Sequence, residues 1–361
     1  SKMTDRMDEL RKAIGRKDRE ILDLLNCRAE LSREIGKVKR DAGIPVFDGE
    51  RETIILRNLV QENTGPLEGP MVEAVFREIV SACRALQGPL RVACLGPEGS
   101  FSYGAALARF GSGAVMVPVE SIFHVFDAVE RERADMAVVP VENALEGAVH
   151  FTLDRLVSTP LRIMGEIFFP IHHHLMATAL SRGGLKRVYS HPQALDQCRD
   201  WLRRNLPHCR WVETASTAEG ARKALEDGEG AALASREAAV RYGLHVLEER
   251  VEDHPANVTR FIVLGRRGTN PTGKDKTSIL FGTRHAPGSL HRALEPFADE
   301  TVNLLKIQSH PRRDRVWEYL FLVDFSGHEA DEKIGRCLGR LEKEVTFLRV
   351  LGSFPAQGET A

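Results

Sequence analysis

Cations stand where a helical core should be. Between Asp5 and Asp41 the apolar residues Leu10, Ile14, Ile21, Leu24, Leu25, Leu31, Ile35 and Val38 recur at mainly three- and four-residue spacing. That period predicts one long amphipathic helix. Arg28 falls on the same stripe, and Arg11 and Lys39 lie at or beside its ends. A cation facing a core is costly unless an anion meets it, so the stripe points to a buried site for an anionic small molecule inside a helical domain. Arg28 and Lys39 share a face, about 16 Å apart along the axis, and long side chains leaning inward can reach one small dianion. Arg11 lies about 25 Å from Arg28, beyond any one metabolite. It is either a surface residue or part of a site completed by a second chain. Asp48, Arg51 and Glu52 open the next helix and add groups of mixed sign. The competing reading is a solvated helix whose Arg and Lys side chains snorkel.

A second set of polar residues lies at strand ends and helix starts, where α/β folds place ligands. Gly96-Pro97-Glu98-Gly99-Ser100-Phe101-Ser102 follows an apolar strand and opens a helix. Such a turn offers N–H groups to an anion, or simply connects strand to helix. Its G-x-x-G spacing is not the dinucleotide fingerprint. Val139-Pro140-Val141-Glu142-Asn143, then Gly147 and Thr152, leave another strand. So do Tyr189-Ser190-His191-Pro192-Gln193, with Gln197 behind them. Ser216-Thr217-Ala218 starts a helix, and Asn257-Val258-Thr259-Arg260-Phe261 opens the last strand. Glu142 is either an acid or a helix cap, and His191 either an acid or a turn residue. Arg260 either pairs with a carboxylate or faces outward. His172-His173-His174 reads as structural rather than metal-binding, since neighbours on a strand point to opposite faces and no partner cluster has ligand spacing.

Three zones must position these groups. Residues 4–87 read as three helices, the first stopped by Gly43-Ile44-Pro45 and the second capped by Asp48. The third carries the stripe Met71, Val75, Ile79, Ala82 and Leu86. Residues 90–267 alternate strand and helix, which predicts an α/β domain with a mostly parallel sheet. Residues 277–355 predict strand–helix–strand–strand–helix–strand, with strands at 277–282, 302–308, 317–325 and 346–351. That βαββαβ order is ferredoxin-like. The expected domains are 1–88, 89–268 and 276–357.

Bulk composition narrows the classes. Among 361 residues, 42% are hydrophobic and 28% charged, as in ordinary globular proteins. A net charge of −1 implies no broad basic field, so no nucleic-acid or membrane partner is expected. No apolar run is long enough to span a bilayer, and the first residues lack a signal-peptide core. Cys27, Cys83, Cys94, Cys198, Cys209 and Cys337 show no CxxC and no framework spacing. Reduced thiols in a cytoplasmic protein are the simplest expectation.

Residues 4–88, on Arg11, Arg28, Lys39, Asp48, Arg51, Glu52 and Gln87, resemble the all-helical class of chorismate mutase. The resemblance implies that the cations bind the two carboxylates of chorismate and that Arg11 acts in trans, within a homodimer or higher homo-oligomer. It further implies that Lys39 and Gln87 hydrogen-bond the ether oxygen and that Glu52 holds the ring hydroxyl. Cys83 stands where the family often has Ser, and a thiol is the weaker donor. Residues 90–267, on GPEGSFS, PVEN and TRF, resemble prephenate dehydratase. This implies two lobes, as in periplasmic-type binding folds, with Thr259 essential and Asn143, Ser190, Gln197, Thr217 and Arg260 as binding groups. The last zone resembles an ACT domain, which implies phenylalanine as an inhibitory effector at Gly288, Ser289, Leu290, Gln308 and Ser309. Gln308-Ser309-His310-Pro311 replaces the family's Glu-Ser-Arg-Pro, and His310 is expected to make that site pH-sensitive.

Chorismate to prephenate is a rearrangement without a protonation step, so fixed cations and amide donors suffice. Prephenate to phenylpyruvate loses CO2 and water, and the leaving hydroxide needs a strong hydrogen-bond donor. Neither step calls for a cofactor or a metal. The whole chain therefore resembles the bifunctional chorismate mutase/prephenate dehydratases of phenylalanine biosynthesis. Two rival readings are a non-catalytic amino-acid-responsive binding protein and a mutase fused to a dehydrogenase. Thr259 and the full set of cations argue against the first. The lack of a nucleotide fingerprint argues against the second.

Overall fold

The computed structural model describes residues 2–311 and 319–357. The chain divides into two compact units, one of residues 1–90 with 110–115, the other holding the rest. The first unit carries α1 (Lys2–Asp41), α2 (Gly49–Glu62) and α3 (Gly69–Ala85). Gly43 ends the first helix by taking the left-handed region (φ 63), a conformation that glycine adopts without strain. The Asp48 carboxylate accepts the Arg51 N–H at 3.0 Å and so caps α2 as expected. Gly36 matters by its size: a Cβ there would lie 2.9 Å from the Gln87 Cα. Only glycine lets α1 pass this close to the end of α3.

The apolar stripes do not form the core of this unit. Leu10, Ile14, Ile21, Leu24, Leu31, Ile35 and Val38 are exposed, as are Met71, Val75 and Leu86 on α3. The buried face of α3 is instead Val72, Val80, Ser81, Cys83 and Arg84. The expected α3 stripe is thus rotated away from the single-chain core. Three helices this thin cannot cover both faces of a 40-residue helix.

The second unit begins with β1 (Arg91–Leu95), α4 (Phe101–Phe110), β2 (Val115–Val119), α5 (Ile122–Glu130), β3 (Met136–Asn143), β4 (Gly147–Ala148), α6 (His150–Ser158) and β5 (Arg162–Pro170). A second sheet follows with β6 (His174–Ala177), β7 (Arg187–Ser190), α7 (Pro192–Gln197), α8 (Arg199–Asn205), β8 (Arg210–Glu213), α9 (Thr217–Glu226), β9 (Gly230–Ala234), α10 (Arg236–Tyr242) and β10 (His245–Glu248). The chain then returns as β11 (Val258–Gly265) to the first sheet, whose order is β2-β1-β3-β11-β5 with β4 on β3. The second sheet runs β10-β6-β9-β7-β8.

Both sheets are mixed, which corrects the expectation of a mostly parallel one. β1 and β3 are parallel, but β11 lies antiparallel to both β3 and β5 because it re-enters from the other lobe. The two crossings between lobes run side by side. Ile171 N–H donates to Asn257 O and Val251 N–H to His173 O, each at 2.8 Å.

The remaining elements are β12 (Asp275–Gly282), α11 (Ser289–Asp299), β13 (Leu304–Pro311), β14 (Tyr319–Ser326), α12 (Glu332–Glu344) and β15 (Phe347–Pro355). Their antiparallel order β13-β14-β12-β15 matches the expected βαββαβ module. Residues 317 and 318, the expected start of its third strand, lie outside the described residues. One face of this sheet buries Phe281, Val323 and Phe325 against Phe297, Ile334 and Leu341 of the two helices. The other buries Leu280, Leu322 and Phe354 in the core of the first lobe with Leu156, Ile163 and Leu264. Among the described residues no helix is long and apolar enough to cross a membrane.

Candidate functional site

A cavity of about 220 Å³ opens in the helical unit. Arg28 and Lys39 of α1 line it with Asp48, Arg51, Glu52, Cys83 and Gln87. Helical spacing on α1 therefore brings Arg28 and Lys39 to one pocket. Arg11 is not there; it is exposed and pairs with Asp8 on its own helix. Lys39 Nζ donates to Val46 O at 2.8 Å, which holds the ammonium at the pocket wall. Ser32 Oγ donates to Cys83 O at 2.9 Å and accepts from Gln87 Nε2 at 2.8 Å. Gln87 Oε1 is buried without a hydrogen-bond partner among the described residues.

Sequence reasoning missed Arg84. Its side chain is 5% exposed, its guanidinium meets Glu52 Oε1 at 2.6 Å, and it donates to Phe110 O at 2.5 Å. It also stacks over Phe47, 5.6 Å from the ring centre. No periodic signal marked it, because it lies off the apolar stripe of α3. The pocket is thus rich in fixed charge, with the half-buried Glu52 carboxylate paired to its own arginine.

The candidate cleft of the second unit, where the two crossings meet the ends of β3 and β11, is built differently, from mainly neutral groups. Asn143, at the end of β3, has its Oδ1 fixed by the N–H groups of Leu145 (2.9 Å) and Glu146 (3.3 Å). Backbone N–H groups only donate, so the amide nitrogen must face the other way. It donates to Thr259 Oγ1 at 2.8 Å and to Asn257 Oδ1 at 2.9 Å. Asn257 Nδ2 then donates to Gln197 Oε1 at 3.0 Å, and Gln197 Nε2 to Glu146 Oε1 at 3.0 Å. The direction of every bond follows from the two ends. Thr259 accepts from Asn143 and so keeps its own hydroxyl hydrogen to give to something else. β3, α7, the second crossing and β11 each supply one member of this chain.

Other expected groups fall outside it. Ser190 is fully buried and donates to Leu233 O at 2.6 Å. Thr217 is half-buried at the start of α9, behind the N-cap Ser216. Arg260 as a ligand for a carboxylate of the substrate is corrected. Its buried guanidinium is taken by Glu166 (2.9 Å) and Asp324 (2.6 Å), and Glu166 is shared with Lys276 (2.8 Å). As a strand neighbour of Thr259 it faces the opposite side of the sheet. Glu142 caps no helix; it pairs with Lys306. His191 caps α7 by accepting the Gln193 N–H. Ser100 caps α4 by accepting the Tyr103 N–H, so the glycine turn serves at least as a connector. The three adjacent histidines separate, His172 to Glu252, His173 to Gln197 and His174 to the Arg250 N–H. Cys94 is buried and its thiol pushed up to about 12, which makes it inert as a nucleophile.

In the βαββαβ module Gly288, Ser289 and Leu290 line a cavity of about 360 Å³ with Phe321. Gln308 and Ser309 lie on β13 outside that lining, although Ser309 pairs directly with Phe321. His310 turns elsewhere. It is buried, stacks on His150 (5.6 Å) and meets Asp154 at 2.8 Å.

Two family models match the chain: chorismate mutase type II over residues 10–88 and prephenate dehydratase over residues 92–269. A bifunctional chorismate mutase/prephenate dehydratase of Aquifex aeolicus is 43% identical across 97% of this chain and 98% of its own length. One from Pseudomonas aeruginosa is 40% identical over the same shares. The crystal structure of a prephenate dehydratase from Arthrobacter aurescens, in complex with L-Phe, is similar at a TM-score of 0.68 and 35% identity. It covers 74% of this chain and 90% of its own. A pocket of fixed cations in the mutase region, a hydrogen-bonded cleft in the dehydratase region and full-length similarity lead to one conclusion: the chain belongs to the bifunctional chorismate mutase/prephenate dehydratases, enzymes of aromatic amino-acid biosynthesis.

Proposed function

We propose a division of labour among residues for the two reactions, in domains spanning 1–88, 89–268 and 276–357. In the mutase pocket Arg28, Lys39 and Arg51 hold the carboxylates of chorismate and select its compact chair conformer. Lys39 and Gln87 donate to the ether oxygen as its bond to carbon breaks, where charge develops. Glu52, aligned by Arg84, accepts the ring hydroxyl, while Asp48 and Cys83 complete the wall. Arg11 enters the pocket of a second copy. The exposed apolar stripes of α1 and α3 support that dimer. Mixing Arg11→Ala with Arg28→Ala chains tests it: heterodimers are expected to regain mutase activity above either parent.

In the dehydratase cleft Thr259 donates its hydroxyl hydrogen to the departing hydroxyl of prephenate while CO2 leaves and the ring becomes aromatic. Asn143 and Gln197 orient the substrate, with Ser190 and Thr217 behind them. The observation that carries this reading is the fixed polarity of the Asn143–Thr259 bond, which leaves Thr259 as a donor. The C-terminal module acts as an ACT domain that binds phenylalanine near Gly288–Leu290 and lowers dehydratase activity. The L-Phe complex of the Arthrobacter aurescens relative supports that effector. The test supplies chorismate and follows phenylpyruvate with and without phenylalanine. Inhibition by phenylalanine is expected; an unchanged rate contradicts the regulatory reading.

A further inference from the structure

His173 sits on the first crossing between the lobes, between β5 and β6. Its ring is buried and stands edge-on to Phe101 of α4, with centres 5.3 Å apart. Nε2 lies 2.9 Å from Gln197 Oε1. That oxygen already accepts from Asn257, and the amide nitrogen of Gln197 is turned to the Glu146 carboxylate. A carboxylate accepts and cannot donate, so His173 faces an oxygen and must itself donate. The hydrogen is on Nε2. Nδ1 is then a buried lone pair, and it has no hydrogen-bond partner among the described residues.

We propose that His173 is a positioning residue of the dehydratase: through Nε2–H it locks the Gln197 amide in the orientation that the prephenate site uses. Two donors, from the two crossings, converge on one amide oxygen. Without the His173 donor only Asn257 and the Glu146 carboxylate hold the amide, and the order of bonds running through Asn257 and Asn143 to Thr259 loses one of its anchors. The ring is held neutral because burial pushes its pKa below the ordinary 6.5. A neutral imidazole is the form that adds no second charge beside the amide. Backbone contacts fix where the ring stands: Glu252 accepts the His173 N–H at 2.9 Å, and Val251 donates to the His173 carbonyl. An apolar ring would pack equally well on Phe101 and leave no lone pair unpaired. The nitrogen is explained by what it does to Gln197.

This inference rests on the placement of Gln197 in the prephenate site, so the experiment separates the two. Full-length chains carrying His173→Gln, His173→Asn, Gln197→Ala and His173→Asn with Gln197→Ala are assayed with prephenate, and their mutase rate serves as a control for intact protein. Gln places an amide donor near the position of Nε2; Asn places it near Nδ1. His173→Gln is expected to stay within about threefold of the parent, while His173→Asn raises KM about tenfold with kcat little changed. Combined with Gln197→Ala, His173→Asn should add less than about twofold, because its target is gone. Equal activities for the Gln and Asn variants, or losses that multiply in the double variant, overturn the proposal. Normal prephenate turnover by Gln197→Ala alone overturns the placement of Gln197, and with it the role of His173.

Discussion

The mutase pocket and the dehydratase cleft solve different problems with different materials. The pocket holds Arg28, Lys39, Arg51 and the Arg84–Glu52 pair, charges fixed on helices. The cleft's core is Thr259, Asn143, Asn257 and Gln197, neutral groups in a directed chain. A rearrangement that moves no proton needs only a static field matched to its transition state. Expulsion of hydroxide needs a donor whose hydrogen points the right way, and direction comes from neighbours that can only donate or only accept. The difference teaches that charge is one way to preorganise a site and hydrogen-bond polarity another.

The comparison can be broken most forcefully at Lys39. Replacing it by Ala should lower mutase turnover by about a thousandfold, as for loss of a group on the charge-developing atom, and leave prephenate turnover unchanged. A parallel loss of both activities, measured with each substrate separately, would show that the two sites are not built independently. Next comes Arg84→Leu. It leaves the half-buried Glu52 without its partner, and denaturant unfolding of the helical unit should show a loss of about 3 kcal/mol. Mutase activity falls with it. Unaltered stability would mean that the pair is solvated and that the pocket's charge is looser than its geometry.

The smallest effect is on the cleft side. Burial lowers the pKa of both His173 and His174 below the ordinary 6.5. As pH falls through 6.5 the unfolded chain takes up these protons before the folded one does. Stability of the α/β unit should therefore decline between pH 7 and pH 5. Denaturant midpoints at the two pH values check this, and His174→Gln should remove part of the difference. A midpoint insensitive to pH would show that neither ring stays neutral in the folded protein.

The same contrast governs what could be read from sequence. Arg28 and Lys39 lie on one helix, so the 3.6-residue period alone placed them together. Asp48 announced its cap by its position before an apolar run. The βαββαβ order followed from alternation along the chain, although the pairings that build its sheet, β12 with β14 and with β15, join strands that are not sequence neighbours. Arg84 was invisible: its partner is Glu52, 32 residues away, and Phe110 comes from beyond the helices. The cleft chain joins residues up to 116 apart, such as Asn143 and Thr259, and no local period encodes such a meeting. Arg260 shows the limit of motif reading. Adjacent to Thr259 in sequence, it points to the other face of β11 and binds Glu166 and Asp324 instead. The antiparallel return of β11 was equally hidden, since a strand's direction depends on where the chain has been.

The central claim is that Thr259 acts as a donor whose direction Asn143 sets. It is tested most directly by giving chorismate to full-length Thr259→Val and Thr259→Ser chains and following prephenate and phenylpyruvate together. Val keeps the shape and loses the hydroxyl. The account predicts that the Val variant makes prephenate at the parental rate and phenylpyruvate about a hundredfold more slowly, while Ser retains most of the second step. Phenylpyruvate formed by the Val variant at close to the parental rate would contradict it.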